Sequence, residues 1–149
     1  MTHIDVKIEK MTSEHIDEVF NIEKTCFSHP WSKQDLINQL NIDTSFFVVA
    51  KVDGKVVGYM GLQIFSGEGY VTDIAVLPEF RRMGIAENLI ARQLKNNMSF
   101  ITLEVRKSNA SAIALYEKTG FKNVGIRPDF YSDPTEDAVI MTKYFEDII

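Results

Sequence analysis

The chain has 149 residues, of which 45% are hydrophobic and 11% aromatic, and a formal net charge of −5. That length suits one domain over residues 1–149, with enough apolar content to build a core without metal or disulfide support. The acidic balance disfavours general nucleic-acid binding and suits basic peptides, and the single cysteine, Cys26, has no second thiol to bridge.

Asp5, Lys7 and Glu9 interrupt the first ten residues, unlike a signal peptide. No stretch reaches the roughly 18 apolar residues of a membrane span, so a cytoplasmic protein is expected. Ile4, Val6 and Ile8 alternate as a short strand. From Thr12 to about Cys26, the residues Ile16, Val19 and Phe20 recur at helical spacing. Cys26 then reads as a structural thiol at the helix end rather than a nucleophile. Ser32, three residues before Asp35, caps a second helix carrying Leu36, Ile37 and Leu40. Phe46 to Val52 is a buried strand, Asp53-Gly54 a two-residue turn, and Lys55 to Phe65 the returning strand. Gly69 to Val76 follows as another strand and Pro78 ends it. Gly84 to Asn96 is an amphipathic helix through Ile85, Leu89 and the Ala86/Ile90/Leu94 row. Phe100 to Arg106 is a strand, and Ser111 to Thr119 a helix with Gly120 as its C-terminal cap. Strands over about Phe121 to Phe130 and Ala138 to Phe145 complete the chain. Strands outnumber helices and the central ones are hairpin-linked. This predicts an α/β (α+β) fold whose mixed sheet is parallel only where a helix crosses over.

Two stretches carry chemistry. Val71 to Ala86 reads strand, short polar loop, then Arg81-Arg82-Met83-Gly84-Ile85-Ala86 opening a helix. The first turn of a helix leaves N–H groups unpaired and carries partial positive charge. Gly84 and Ala86 are small enough to let a ligand approach the main chain, and Arg81 and Arg82 add full charge, a combination that suits a pyrophosphate. The same residues also fit a loop of solvated arginines whose glycine merely eases the turn. Neither Gly-x-Gly-x-x-Gly nor a lysine-serine or lysine-threonine pair after glycine is present, which disfavours dinucleotide redox chemistry and nucleotide hydrolysis.

The second stretch is Leu103 to Phe121. Glu104 lies in a strand with Leu103 and Val105 on the opposite face, Asn109 precedes the next helix, and Tyr116 lies on that helix twelve residues after Glu104. A strand with a helix folding back can bring the two side chains to one cleft. There a carboxylate can take a proton from an ammonium and a phenol can give one to a thiolate. Glu104 as a solvated strand residue and Tyr116 as a core aromatic are the plainer alternatives. Trp31 beside Pro30 is either a packing anchor or an acceptor-loop residue. Phe130 and Tyr131, followed by Asp133, Glu136 and Asp137, either line an acceptor groove or form a solvated acidic hairpin. His3, His15 and His29 make no ligand-spaced pair, so no metal site is expected.

Both stretches resemble the GNAT superfamily of acetyl-CoA-dependent N-acetyltransferases, in that family's order and separation. Arg81, Gly84 and Ala86 match its Arg/Gln-x-x-Gly-x-Gly/Ala loop, with alanine at 86 where many members carry glycine. The resemblance implies a mixed, mostly antiparallel sheet of six to seven strands, splayed in the middle and flanked by about four helices. It implies acetyl-CoA as co-substrate, without metal, its pyrophosphate held by the amides of Arg82, Met83, Gly84, Ile85, Ala86 and Glu87. Ile74, Ala75 and Val76 would carry a strand irregularity whose free amides, notably that of Val76, face the pantetheine and thioester.

Within the superfamily, Leu103-Glu-Val-Arg followed by Asn109-x-x-Ala-x-x-Leu-Tyr-Glu-x-x-Gly-Phe121 is similar to the signature of bacterial ribosomal-protein-alanine N-acetyltransferases. His29-Pro30-Trp31-Ser32 is similar to their Pro-Trp-Ser loop, and Arg127 to Tyr131 to their aromatic segment near the acceptor. The resemblance makes Glu104 the general base and Tyr116 the general acid, with Asn109 and Tyr116 as cofactor contacts and Trp31 and Tyr131 as acceptor contacts. The acceptor would be a protein N-terminal amine, such as that of a ribosomal protein, attacking directly in a ternary complex, without a direct nucleic-acid or membrane partner. A small-molecule amine or a lysine side chain is the alternative acceptor. A catalytically silent acyl-CoA-binding module is the alternative class, against which Glu104 and Tyr116 together argue.

Overall fold

A computed structural model describes residues 5–145. The chain forms two compact units, Met1–Gln63 with Thr72–Asn96, and Ile64–Val71 with Asn97–Ile149. Of the expected features, Ile4 and His3 lie outside the described residues.

The first unit contains β1 (Val6–Lys10), α1 (Ile16–Cys26), α2 (Lys33–Leu40), β2 (Ser45–Val52), most of β3 (Lys55–Phe65), the end of β4 (Glu68–Val76) and α3 (Ile85–Gln93). α1 buries Ile16, Val19, Ile22 and Glu23. It starts later than the periodicity predicts because Ser13–His15 is a tighter 3-10 turn. There the His15 ring Nδ1 accepts the Thr12 N–H at 2.9 Å. α2 begins as expected at a reciprocal cap, in which Ser32 Oγ accepts the Asp35 N–H at 3.0 Å and Asp35 Oδ2 accepts the Ser32 N–H at 3.1 Å. β2 and β3 pair antiparallel through Asp53 and Gly54, whose φ values of 51° and 77° are the two positive angles a two-residue hairpin needs. Gly61 on β3 is crowded by the Phe47 ring and the Thr72 hydroxyl, so a side chain has no room there. α3 ends at Gln93, short of the expected Asn96. The next turn tightens, and Asn96 Nδ2 donates to the Gln93 carbonyl at 2.9 Å. Buried Gln93 is itself satisfied, its amide donating to the carbonyls of Phe46 (2.7 Å) and Met60 (3.2 Å).

The second unit contains the start of β4, then β5 (Phe100–Arg106), α4 (Ala110–Lys118), β6 (Lys122–Tyr131) and β7 (Glu136–Tyr144). β4 and β5 pair in parallel, Glu68–Tyr70 beside Phe100–Thr102. β7 pairs antiparallel with β5 along its length, from Phe100↔Tyr144 to Arg106↔Ala138, and with β6 on its other side. The crossover through α4 therefore skips one strand position, and the returning hairpin fills it. Burial follows from this placement. Central β7 buries Ala138, Val139, Met141 and Thr142, whereas edge strand β6 is exposed almost throughout and tolerates Pro128. The strand order is β1-β2-β3-β4-β5-β7-β6. This is the mixed, mostly antiparallel seven-stranded sheet with four helices that the sequence led us to expect. No helix among the described residues is long and apolar enough to cross a membrane.

Candidate active site

In the first unit, β4 runs out at Val76, and the Leu77 N–H is taken by the Val57 carbonyl at 2.8 Å. A short turn at Pro78–Phe80 leads into Arg81 to Gly84, where Arg82 and Gly84 adopt left-handed φ values of 64° and 77°. Gly84 is the N-cap of α3, and Ile85 behind it is buried and anchors the helix start. The first helical hydrogen bond runs from the Asn88 N–H to the Gly84 carbonyl at 3.0 Å. The N–H groups of Ile85 and Ala86 precede it and so have no acceptor within the helix. A Cβ placed on Gly84 would meet nothing within 4 Å, so the space beside Gly84 itself is open. Met83 and Arg82 lie exposed beside it, and Ala86 and Glu87 are half-buried.

Arg81 lies between the end of β4 and the end of α1. Its Nε donates to the Val76 carbonyl at 3.0 Å and its terminal nitrogen contacts Cys26 Sγ at 3.6 Å. The carbonyl at the end of β4 needs a donor, and the guanidinium supplies one while bracing the strand against α1. Burial pushes the Cys26 thiol pKa up against the opposing pull of Arg81, which keeps the sulfur protonated and unreactive. Of the β4 residues singled out, Ala75 and Val76 are buried, and the Ile74 N–H is bonded to Asp73 Oδ1 at 3.0 Å.

The same unit holds a polar group that the sequence reading missed. Tyr59 Oη lies 2.6 Å from Glu23 Oε2 and 2.9 Å from Asp73 Oδ2. Glu23 is fully buried, and its Oε1 accepts the Trp31 N–H at 2.8 Å. Burial and the neighbouring Glu23 push the Asp73 pKa up to about 9, and burial with both carboxyls pushes that of Tyr59 far above its usual value. The Trp31 ring packs on Phe47 with centroids 6.0 Å apart.

In the second unit, Glu104 sits opposite Ile140 on β7, its side chain 33% exposed, with Oε1 held by Arg127 Nε at 3.2 Å. Asn109 is the N-cap of α4, its Oδ1 accepting the Ala112 N–H at 3.2 Å. Tyr116 on that helix is buried and packs on Phe121 with centroids 5.7 Å apart. Tyr131 lies at the end of β6 under the Arg106 guanidinium, 4.5 Å from its ring. Arg106 is fixed there by the Ser132 and Pro134 carbonyls, both at 2.9 Å, and by Glu136 at 3.2 Å. Among the described residues no three His, Cys, Asp or Glu side chains gather as metal ligands.

Residues 16–121 match the acetyltransferase (GNAT) family. The chain belongs to that family. It is 35% identical over 156 residues to an N-alpha-acetyltransferase of Saccharolobus solfataricus, covering 93% of each chain. It is 32% identical over 140 residues to the [ribosomal protein bS18]-alanine N-acetyltransferase of Escherichia coli K12, covering 90% of this chain and 94% of that protein. The crystal structure of the ribosomal-protein-S18-alanine N-acetyltransferase from Escherichia coli superposes with a TM-score of 0.89 at 28% identity, covering 97% of both chains. This GNAT chain is thus an N-acetyltransferase of the acyltransferase class, and GNAT enzymes use acetyl-CoA.

The GNAT motifs pointed to the α3 entry and to the β5–α4 stretch, but not to Glu23, Tyr59 and Asp73. A signal was present for one of them: Glu23 follows Ile16 and Val19 at helical spacing on a face that is otherwise apolar. A charge on a buried stripe needs a partner, and here the partners are remote in sequence.

Proposed function

We propose that this chain moves the acetyl group of acetyl-CoA onto the α-amino group of a protein N-terminus, with ribosomal proteins as the foremost acceptors. The observation that carries the reading is the left-handed Gly84 at the entry of α3, with open space around its missing Cβ. The first-turn amides carry partial positive charge and suit a diphosphate, so the residues present fit the co-substrate. In this reading the amides of Arg82, Met83, Gly84, Ile85, Ala86 and Glu87 hold the pyrophosphate. Ile74, Ala75 and Val76 serve the pantetheine and thioester end, and Arg81 adds its charge beside the pyrophosphate. Asn109 contacts the cofactor in addition to capping its helix.

Acetyl-CoA supplies the acetyl group as a thioester. Glu104 takes a proton from the acceptor ammonium, so that the amine lone pair attacks the carbonyl carbon, and the Val76 N–H stabilises the oxygen as it gains charge. Tyr116 gives its proton to the sulfur as the C–S bond breaks, the nitrogen gives up its second proton, which replaces the one Tyr116 lost, and no acetyl-enzyme forms. Trp31 and Tyr131 contact the acceptor. The chain acts as one domain over residues 1–149 in the cytoplasm, without a direct nucleic-acid or membrane partner. Its net charge of −5 favours basic N-terminal segments, and two relatives named for N-alpha or ribosomal-protein-alanine acetylation support a protein acceptor.

The test is a thiol-release assay with matched peptides bearing free and acetylated N-termini, alongside polyamines and a lysine-only peptide. Turnover confined to free N-termini is expected. Turnover with polyamines or with the blocked lysine peptide alone would refute the acceptor assignment.

A further inference from the structure

Inside the first unit, two carboxyl groups share one phenol. Tyr59 Oη contacts Glu23 Oε2 at 2.6 Å and Asp73 Oδ2 at 2.9 Å. A phenol has one hydrogen to donate, so it serves one contact, and the other requires a hydrogen on a carboxyl group. Burial pushes the Asp73 pKa up, which places the carboxyl hydrogen on Asp73, and together with the phenol hydrogen it fills both contacts. Each carboxyl also accepts a main-chain N–H with its second oxygen, Glu23 from Trp31 at 2.8 Å and Asp73 from Ile74 at 3.0 Å. A continuous hydrogen-bonded chain thus links the loop between α1 and α2 to β4.

We propose that Glu23, Tyr59 and Asp73 are positioning residues that clasp the Trp31 loop to the Ile74 segment of β4, and that loss of the carboxyl proton frees the loop. The kinetic consequence rests on the proposed acetyl transfer, in which Trp31 meets the acceptor; the structural consequence does not. The titratable and charged groups facing the trio are Cys26 on α1 and Arg81 after β4, and Arg81 spends its guanidinium on the Val76 carbonyl and the Cys26 sulfur. Once Asp73 ionises, only the phenol hydrogen remains for the two contacts, and one of them is lost. The clasp then opens at its centre.

Trp31 is the only tryptophan in the chain, so its emission reports on the loop whether or not the protein transfers acetyl groups. The wild-type emission should change in a single step centred near pH 9, where Asp73 loses its proton at about 9. Asp73→Asn donates to Tyr59 at every pH and should show no such step, with unchanged far-ultraviolet circular dichroism. In kinetics with a free-N-terminus peptide, the wild-type acceptor KM should rise about tenfold per pH unit above the step. The rate at saturating acceptor should hold, and Asp73→Asn should abolish the rise. Tyr59→Phe removes the central hydroxyl without changing the ring, and at neutral pH it should raise the acceptor KM by about tenfold or more while coenzyme A affinity stays within about twofold.

Superimposable emission titrations for wild type and Asp73→Asn would overturn the proposal. So would a wild-type acceptor KM in Tyr59→Phe. If Asp73→Asn does not fold, a flat wild-type emission curve from about pH 7 to about pH 10 overturns it instead. A wild type that acetylates no peptide while its emission steps as described would sink the proposed function and leave the clasp standing.

Discussion

Replacing Asp73 by asparagine should stabilise the protein, and more so as the pH rises. Burial and the neighbouring Glu23 push the Asp73 pKa up to about 9, from the 3.8 of an ordinary aspartate. Between those limits the folded state binds one more proton than the unfolded state. Stability therefore falls as pH rises, by about 1.4 kcal/mol per pH unit, and the loss levels off above the folded pKa. From about pH 5 to about pH 8 that amounts to roughly 4 kcal/mol, a large share of the 5–15 kcal/mol typical of a domain. Asparagine preserves the shape, with its oxygen available to the Ile74 N–H and its nitrogen to Tyr59 Oη, and it has no proton to lose. Urea unfolding of both proteins at about one-unit pH intervals measures the difference. It should be small at the acidic end and widen by about 1.4 kcal/mol per unit. Stability curves for the two proteins that run parallel across this range would refute the proton count at the trio.

Three further predictions concern separate parts of the molecule. Tyr116→Phe should lower kcat by about 10² to 10⁴-fold while coenzyme A affinity survives, and single-turnover rates set beside equilibrium binding check both halves. Glu104→Gln should lower kcat/KM by a similar factor and, because the Arg127 pair is largely exposed, change the unfolding free energy by less than about 1 kcal/mol. Gly61→Ala forces a methyl group into the Phe47 ring and the Thr72 hydroxyl, so denaturant melts should show a loss of about 1–3 kcal/mol.

Local signals were readable in the sequence, and pairings made at a distance were not. The strands Lys55–Phe65 and Phe100–Arg106 have the bounds expected from their apolar runs, and the Ser32 cap and the Asp53-Gly54 turn formed as their residue types demand. The GNAT loop was legible because its glycine and its position between strand and helix are local facts. The Arg81 contact with the Val76 carbonyl was not, since that acceptor becomes available only once β4 has ended and α1 lies alongside. The insertion of β7 between β5 and β6 is likewise invisible to periodicity, which reports which face is buried but not which strand is the neighbour. Glu23, Tyr59 and Asp73 are spread over fifty residues, and only folding brings the three side chains together.

The central claim is that the entry to α3 grips the diphosphate of coenzyme A, and calorimetric titration of coenzyme A into wild type and Gly84→Glu tests it most directly. Wild type should saturate with one equivalent. The variant, folded by circular dichroism, should bind at least about 10²-fold more weakly, because it adds a negative charge and a side chain at a left-handed position facing the phosphates. Equal affinity in the two proteins, or no saturable heat from wild type, would contradict the account.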